Sequence, residues 1–439
     1  MHEGTKTPSD ATPLRIGIFT DDFYPNSGGV ARSIELQITE LTRLGHDVTL
    51  FAPQPFFVPP SAGKHHACDV WYIPRTPSAF CSLKWNRKQI DRIARHYKFD
   101  IVHSQNERGA IVIAAAIARR QQIPHVHTFH SNYAATHVTS PLIAAINTYS
   151  FMKYIPLMMR RVRPERVPKR LRLPRHLTSR ESSHLAKADW KSIAKLAWFV
   201  DGFTSPAQFI IDYIHDATHD ELRDRSSVIA NGINPIFHRA KRLRPLSAPL
   251  RFLMIGRLDA EKRFDIAIEA FARLPACNAE LCIVGDGTEA SALKHLAHKL
   301  QPANPIRFLG HYSEHERVAN EMANCDVFVF TSYRFDTQGM VLGEAASAGA
   351  AILYCDDRLH VGVNDMNSLL VHPSVTGLLG GMHQFTNDIQ RVRHMQAASR
   401  SLSPSLKPEL MCRRFIHAYH AASRHYDSLK GFKITRTSL

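Results

Sequence analysis

The chain has 439 residues, 44% of them hydrophobic, and a formal net charge of +16. That length exceeds one compact core and points to two domains, with enough apolar material to bury both. The charge calls for an anionic partner: nucleic acid, acidic lipid or a phosphorylated substrate.

Seven cysteines are scattered through apolar runs without a C-x-x-C pair, which reads as reduced thiols in a cytoplasmic protein. The 26 histidines show no H-E-x-x-H or comparable metal spacing. Residues 1–13 lack the apolar core of a signal peptide and read as a disordered tail. The longest apolar run, Ala110–Ala118, is too short to span a bilayer, so a soluble or peripheral protein is expected.

Arg15–Thr20 is a parallel-type strand leading into DDFYPNSGGV, with Gly28 and Gly29 at its end. A helix follows over Ala31–Leu44, closed by Gly45, and Asp47–Phe51 is the next strand. This is a β-loop-α-β unit with a glycine loop at the carboxyl end of its first strand, where open α/β sheets bind ligands. The loop is not G-x-G-x-x-G, so no dinucleotide site is read there. Asp100–His103 is a strand, Gly109–Arg120 a helix and His125–Thr128 a strand. His130 and Tyr133 lie just past that last strand end, at a position suited to touching a ligand.

Residues 153–195 change character, with thirteen Lys and Arg against three acids, 13 − 3 = +10. Tyr154, Leu157, Met158, Met159, Leu171 and Leu173 are interleaved with those charges, as in a membrane-surface segment. Trp198–Pro206 reads as a strand ending in a turn, Ala207–His215 as a helix, and Ser227–Ala230 as a strand. The basic, proline-bearing stretch 238–249 reads as a linker.

The α/β pattern then restarts. Strands are expected at Arg251–Ile255, Glu280–Val284, Ile306–Leu309, Val327–Phe330, Ala351–Tyr354 and Ser368–Val371. Helices are expected at Phe264–Leu274, Glu289–Leu300, Ser313–Ala323 and from about Gly339. Pro408–Leu429 reads as one long helix.

Two places carry chemistry. In GRLDAEKR, Arg257 and Lys262 occupy the turn after the first strand of the second half. A guanidinium and an ammonium there can clamp a diphosphate without a metal ion. In FDTQGMVLGEAASAG, Thr337, Gln338 and Gly339 stand where a helix presents unpaired N–H groups, which favour an anion. Asp336 and Glu344 flank that helix start and suit the hydroxyls of a phosphorylated sugar.

GRLDAEKR, VGDG at Val284–Gly287, DTQGMVLGEAASAG, the FYPNSGGV loop and NGI at Asn231–Ile233 together resemble the family-4 retaining glycosyltransferases. HTFHSNYA at His127–Ala134, followed by a basic segment, is most similar to the members that glycosylate diacylglycerol or phosphatidylinositol. The resemblance implies the GT-B fold: two Rossmann-like domains facing across a cleft, with the last helix crossing back. The expected division is an acceptor domain at 14–237, the linker 238–249, a donor domain at 250–410 and the crossing helix at 411–432.

By the same resemblance, Arg257 and Lys262 bind the diphosphate of a UDP- or GDP-sugar, and Glu344 binds the ribose. Asp336 falls where the family has a glutamate near the reacting carbon. Thr337, Gln338 and Gly339 match backbone contacts, Gly28 and Gly29 the glycine loop near the phosphate, and His130 the acceptor–sugar interface. Tyr133 is counted with the acceptor side. Neither a cofactor nor a metal is implied, and no nucleic-acid partner is expected. The oligomeric state is not legible. A hexosyltransferase working on a lipid at the inner face of the cell membrane is the leading reading. A soluble glycosyltransferase and a non-catalytic sugar-nucleotide-binding protein are the alternatives.

Overall fold

The computed structural model describes residues 12–22, 28–54, 67–75, 83–139, 141–168, 170–173, 183–245 and 248–437. Most of the expected tail, residues 23–27 of the glycine loop, Cys81, Lys169 and residues 174–182 of the basic segment lie outside the described residues. The six described cysteines are all free thiols.

Strands β1 (Arg15–Phe19), β2 (Asp47–Pro53), β3 (Asp69–Ile73), β4 (Ile101–Ser104), β5 (His125–Thr128), β6 (Gly202–Ser205) and β7 (Ser226–Val228) form one parallel sheet. Its spatial order is β3-β2-β1-β4-β5-β6-β7. A second parallel sheet holds β8 (Leu250–Ile255), β9 (Ala279–Val284), β10 (Ile306–Gly310), β11 (Val327–Phe330), β12 (Ala351–Tyr354) and β13 (Ser368–Leu370). Its order is β10-β9-β8-β11-β12-β13. Both orders reverse direction once, the signature of doubly wound α/β sheets.

Local sequence accounts for the helices that matter to the cleft. In Gly29–Arg43, the buried Ala31, Ile34, Ile38 and Leu41 recur at three- and four-residue steps and give one apolar stripe. Gly45 ends that helix with φ +90°. Helix Gly109–Gln121 is buried all round from Gly109 to Ala118. It lies between the first sheet and helix Ile155–Val162, and only its last turn, at Arg119 and Arg120, meets water.

Three expectations change. Trp198 does not begin a strand: it ends the helix His184–Trp198, and β6 starts only at Gly202. The run AKLAWFV is apolar on a helical period up to the turn at 199–201, which period-2 reading misses. In the basic segment, Met158 and Met159 are core residues, and Arg163 (buried) and Arg166 (mostly buried) both meet Asp201. Only part of that amphipathic pattern therefore faces solvent. The described part of the expected linker, 238–249, is also less free than a linker: Arg242 pairs with Asp326 at 2.7 Å and Arg244 with Glu280 at 3.1 Å.

The last helix, Pro408–Thr437, starts at the second sheet's end of the molecule and packs on the first sheet. Met411, Cys412, Phe415, Tyr419 and Ala422 join Ile16, Ile18, Val126 and Ile229 in one buried cluster. Among the described residues, no helix is long and apolar enough to cross a membrane.

Candidate functional site

Each sheet reverses its order between two neighbouring strands, β1 and β4 in the first, β8 and β11 in the second. Loops leaving those carboxyl ends diverge and open a crevice. The two crevices face each other. The cleft between them has a volume of about 1000 Å³. Gly28, Gly29, His130, Tyr133, Arg257, Lys262, Asp336, Thr337, Gln338, Gly339 and Glu344 all line it.

The topology explains why distant residues meet. The loop after β8 carries Lys262, the loop after β11 carries Asp336, and the two strands are adjacent. Lys262 Nζ donates to both Asp336 oxygens, at 2.7 and 2.9 Å. The same ammonium lies 5.3 Å from the ring centre of Phe335. Arg257 is ion-paired with Asp259 and, at 2.8 Å, with Glu261. VGDG has a packing role here: a Cβ on Gly285 would fall 1.9 Å from the Gly256 carbonyl oxygen. Glycine thus lets the loop after β9 lie directly against the loop that carries Arg257.

Helix Met340–Ala348 opens at Gly339, whose φ of +67° turns the chain sharply from the β11 loop. The helix aims its unpaired N–H groups into the cleft region, and the helix Gly29–Arg43 begins on the opposite wall. A Cβ on Gly29 would contact Met340 Sδ at 3.5 Å, so the two helix starts nearly touch. Glu344 lies one turn further in. Burial pushes its carboxyl up to about 7, against the pull of Arg32.

The walls are pinned together by named hydrogen bonds. Thr337 Oγ1 donates to the His130 carbonyl at 2.7 Å, and Asn132 Nδ2 to that of Arg334 at 3.2 Å. The Gln338 amide exchanges two bonds with the Asn231 backbone, accepting at 2.7 Å and donating at 3.2 Å. The side chains of Thr337 and Gln338 are thus committed across the cleft, which leaves their backbones for a ligand.

On the first wall, Tyr133 donates to Glu107 Oε2 at 2.9 Å, and the His130 N–H donates to Oε1 at 3.2 Å. Burial raises the Glu107 carboxyl to about 7 and lowers the His130 imidazole to about 4. Sequence reasoning passed over Glu107, Arg32, Asn147 and Asn231. NGI marked the neighbourhood of Asn231, but single polar residues inside helices and loops left no motif for the others.

Two family models cover most of the chain: Glycosyltransferase Family 4 over residues 27–237 and Glycosyl transferases group 1 over residues 239–401. The alpha-monoglucosyldiacylglycerol synthase of Streptococcus pneumoniae is 26% identical over 361 residues, 77% of this chain and 70% of that protein. A GDP-mannose-dependent alpha-mannosyltransferase of Corynebacterium glutamicum is 26% identical over 359 residues, 77% of this chain and 71% of that protein. HepE of Anabaena, solved in complex with UDP, superposes with a TM-score of 0.65 at 14% identity, over 93% of this chain and all of that one. The paired crevices, the ordered motifs and these matches agree, and the chain belongs to the family-4, group-1 glycosyltransferases, retaining hexosyltransferases of GT-B fold.

Proposed function

We propose that the protein moves a hexose from a nucleoside-diphosphate sugar to a hydroxyl of a membrane lipid of the diacylglycerol or phosphatidylinositol type. A surface patch carries the lipid reading. Leu142, Ile146, Tyr149, Tyr154 and Leu157 are large apolar side chains left exposed, Leu142 at 75%. Lys153, Arg160 and Arg161 are exposed among them. Ala144 and Asn147 of the same segment line the cleft beside Tyr133 and Thr136. Apolar side chains flanked by cations suit the interface of an anionic bilayer, and the patch would set the cleft mouth at the head groups. The Streptococcus pneumoniae relative is, by its name, a diacylglycerol glycolipid synthase.

In this reading the donor lies over the second sheet. Arg257 and Lys262 take the diphosphate, Glu344 the ribose and Asp336 the sugar. Backbone N–H groups at Thr337, Gln338 and Gly339 complete its contacts, and Gly28 and Gly29 let the phosphate approach. His130 stands between sugar and acceptor, with Tyr133 beside it. The bond from the anomeric carbon to the diphosphate breaks as the bond to the acceptor oxygen forms on the same face. The acceptor proton passes to the departing phosphate oxygen. Lys262 and Arg257 neutralise the leaving diphosphate, a task that needs no metal ion.

Incubation with UDP- and GDP-sugars and a panel of membrane lipids should add the mass of one hexose to a lipid, undiminished by chelator. Transfer only to water-soluble acceptors would replace the lipid reading. Turnover that requires magnesium or manganese would take the diphosphate away from the Lys262–Arg257 pair.

A further inference from the structure

From the cleft inward, an unbroken chain of buried hydrogen bonds runs from His130 to the last helix. His130 Nε2 lies 2.7 Å from Gln105 Oε1. Gln105 Nε2 donates to Gln37 Oε1 at 2.6 Å, and Gln37 Nε2 donates to the Tyr419 hydroxyl at 3.1 Å. That hydroxyl lies 2.8 Å from His103 Nδ1, and His103 Nε2 lies 2.7 Å from Thr128 Oγ1. Thr128 Oγ1 meets Thr204 Oγ1, also at 2.7 Å. Gln37, Gln105, His103 and Tyr419 are all buried, so water does not compete for these partners.

The donor count sets a direction. Gln105 turns its carbonyl oxygen to His130, and a carbonyl only accepts, so the imidazole proton sits on Nε2. A neutral ring has one such proton, which leaves Nδ1 as a lone pair. Further along, the amide nitrogens of Gln37 and Gln105, which only donate, also lie 3.3 and 3.4 Å from His103 Nδ1, so that nitrogen is an acceptor and the Tyr419 hydroxyl gives its proton to it. His103 then carries its proton on Nε2, toward Thr128. Burial keeps both rings neutral near pH 7.

We propose that Gln105, Gln37 and Tyr419 are positioning residues that lock His130 as its Nε2–H tautomer, so that Nδ1 accepts a hydrogen bond from a substrate hydroxyl in the cleft. The hydroxyl belongs to the donor sugar or to the acceptor, and this assignment of the ligand rests on the function proposed above. The tautomer itself does not.

The test is Tyr419→Phe, which removes the hydroxyl and keeps the ring against Phe415 and His103. Nitrogen-15 spectra of histidine-labelled protein without substrate, with His130→Gln to assign the signal, should change from pure Nε2–H to a mixture of tautomers. The turnover number should fall about five- to tenfold, the scale of one misdirected hydrogen bond. A rise in KM for the nucleotide sugar would place the hydroxyl on the donor, and a rise in KM for the lipid would place it on the acceptor. Gln105→Met breaks the chain next to His130 without touching the helix, and should give the same spectra. Tyr426→Phe is the control. Its hydroxyl lies on the same helix but reaches Gln122 at 3.5 Å, outside the chain. It should lower thermal stability while leaving tautomer and turnover alone. An unchanged Nε2–H signal in both Tyr419→Phe and Gln105→Met would overturn the proposal. A changed signal in a protein that transfers no sugar would instead overturn the proposed function and leave the chain standing.

Discussion

Asp336 and Lys262 hold each other in the cleft at 2.7 Å, each about one-fifth exposed. Aspartate is one methylene shorter than the glutamate expected at this position from the resemblance, and the lysine reaches out to meet it. A diphosphate arriving at Lys262 competes with that carboxylate. Asp336→Ala should therefore bind free nucleoside diphosphate at least as tightly as the parent in titration calorimetry. Its turnover with the nucleotide sugar should fall by roughly two orders of magnitude, the loss expected if Asp336 touches the sugar as proposed. Parallel loss of both would remove Asp336 from the sugar site. Glu344 makes a different statement. In the fold it keeps its proton up to about pH 7, whereas an ordinary glutamate releases it near 4.5. The folded state thus binds the proton more tightly, and stability contributed by this group is lost as pH rises from about 4.5 through about 7. Glu344→Gln should match the parent in thermal melts at pH 4.5 and be the more stable of the two at pH 8. Equal pH dependence in the two proteins would contradict the buried, protonated carboxyl. Both residues were legible as site candidates from their motif. Their electrostatics were not, because Lys262 lies 74 positions from Asp336 and Arg32 sits on the opposite wall.

At the level of elements, strands of the second half were readable because each is a short apolar run ending at a turn signal, and β11 and β12 match to the residue. Reading failed where charge and burial disagree. Helix Ile155–Val162 turns Met158, Met159 and Val162 inward and Leu157, Arg160 and Arg161 outward. Downstream, Arg163 and Arg166 look equally basic but meet Asp201, which comes from the turn before β6. No local pattern distinguishes the two pairs, since only the tertiary position of Asp201 does. The structure turns this into a prediction of opposite effects. Arg160→Ser with Arg161→Ser should weaken sedimentation with anionic vesicles at low salt, each basic group contributing about 1 kcal/mol, and leave the melting temperature in place. Asp201→Asn leaves buried guanidinium groups without their counter-charge. It should lower stability by about 3–5 kcal/mol while the folded fraction still binds vesicles. Unchanged vesicle binding in the double variant would detach the patch from the membrane.

Across the whole molecule, the two-sheet plan was visible because the glycine-loop, strand and helix pattern appears once in each half. The closure of the cleft was not: Thr337 to His130 and Gln338 to Asn231 are contacts between residues 207 and 107 positions apart. The last helix was recognisable as a helix, and its destination came from resemblance alone. That destination has a consequence in time. The face of the first sheet made by Ile16, Ile18, Val126 and Ile229 is sealed by Phe415, Tyr419 and Ala422. A ribosome adds about 5–20 residues per second, so the sheet waits roughly 10–40 s between the making of Ile229 and the arrival of its cover. Throughout that interval the nascent chain presents an uncovered apolar strip to every neighbour. That interval, set by the length of the second half, is the window in which helper proteins that shield such strips can act on the first half of this chain.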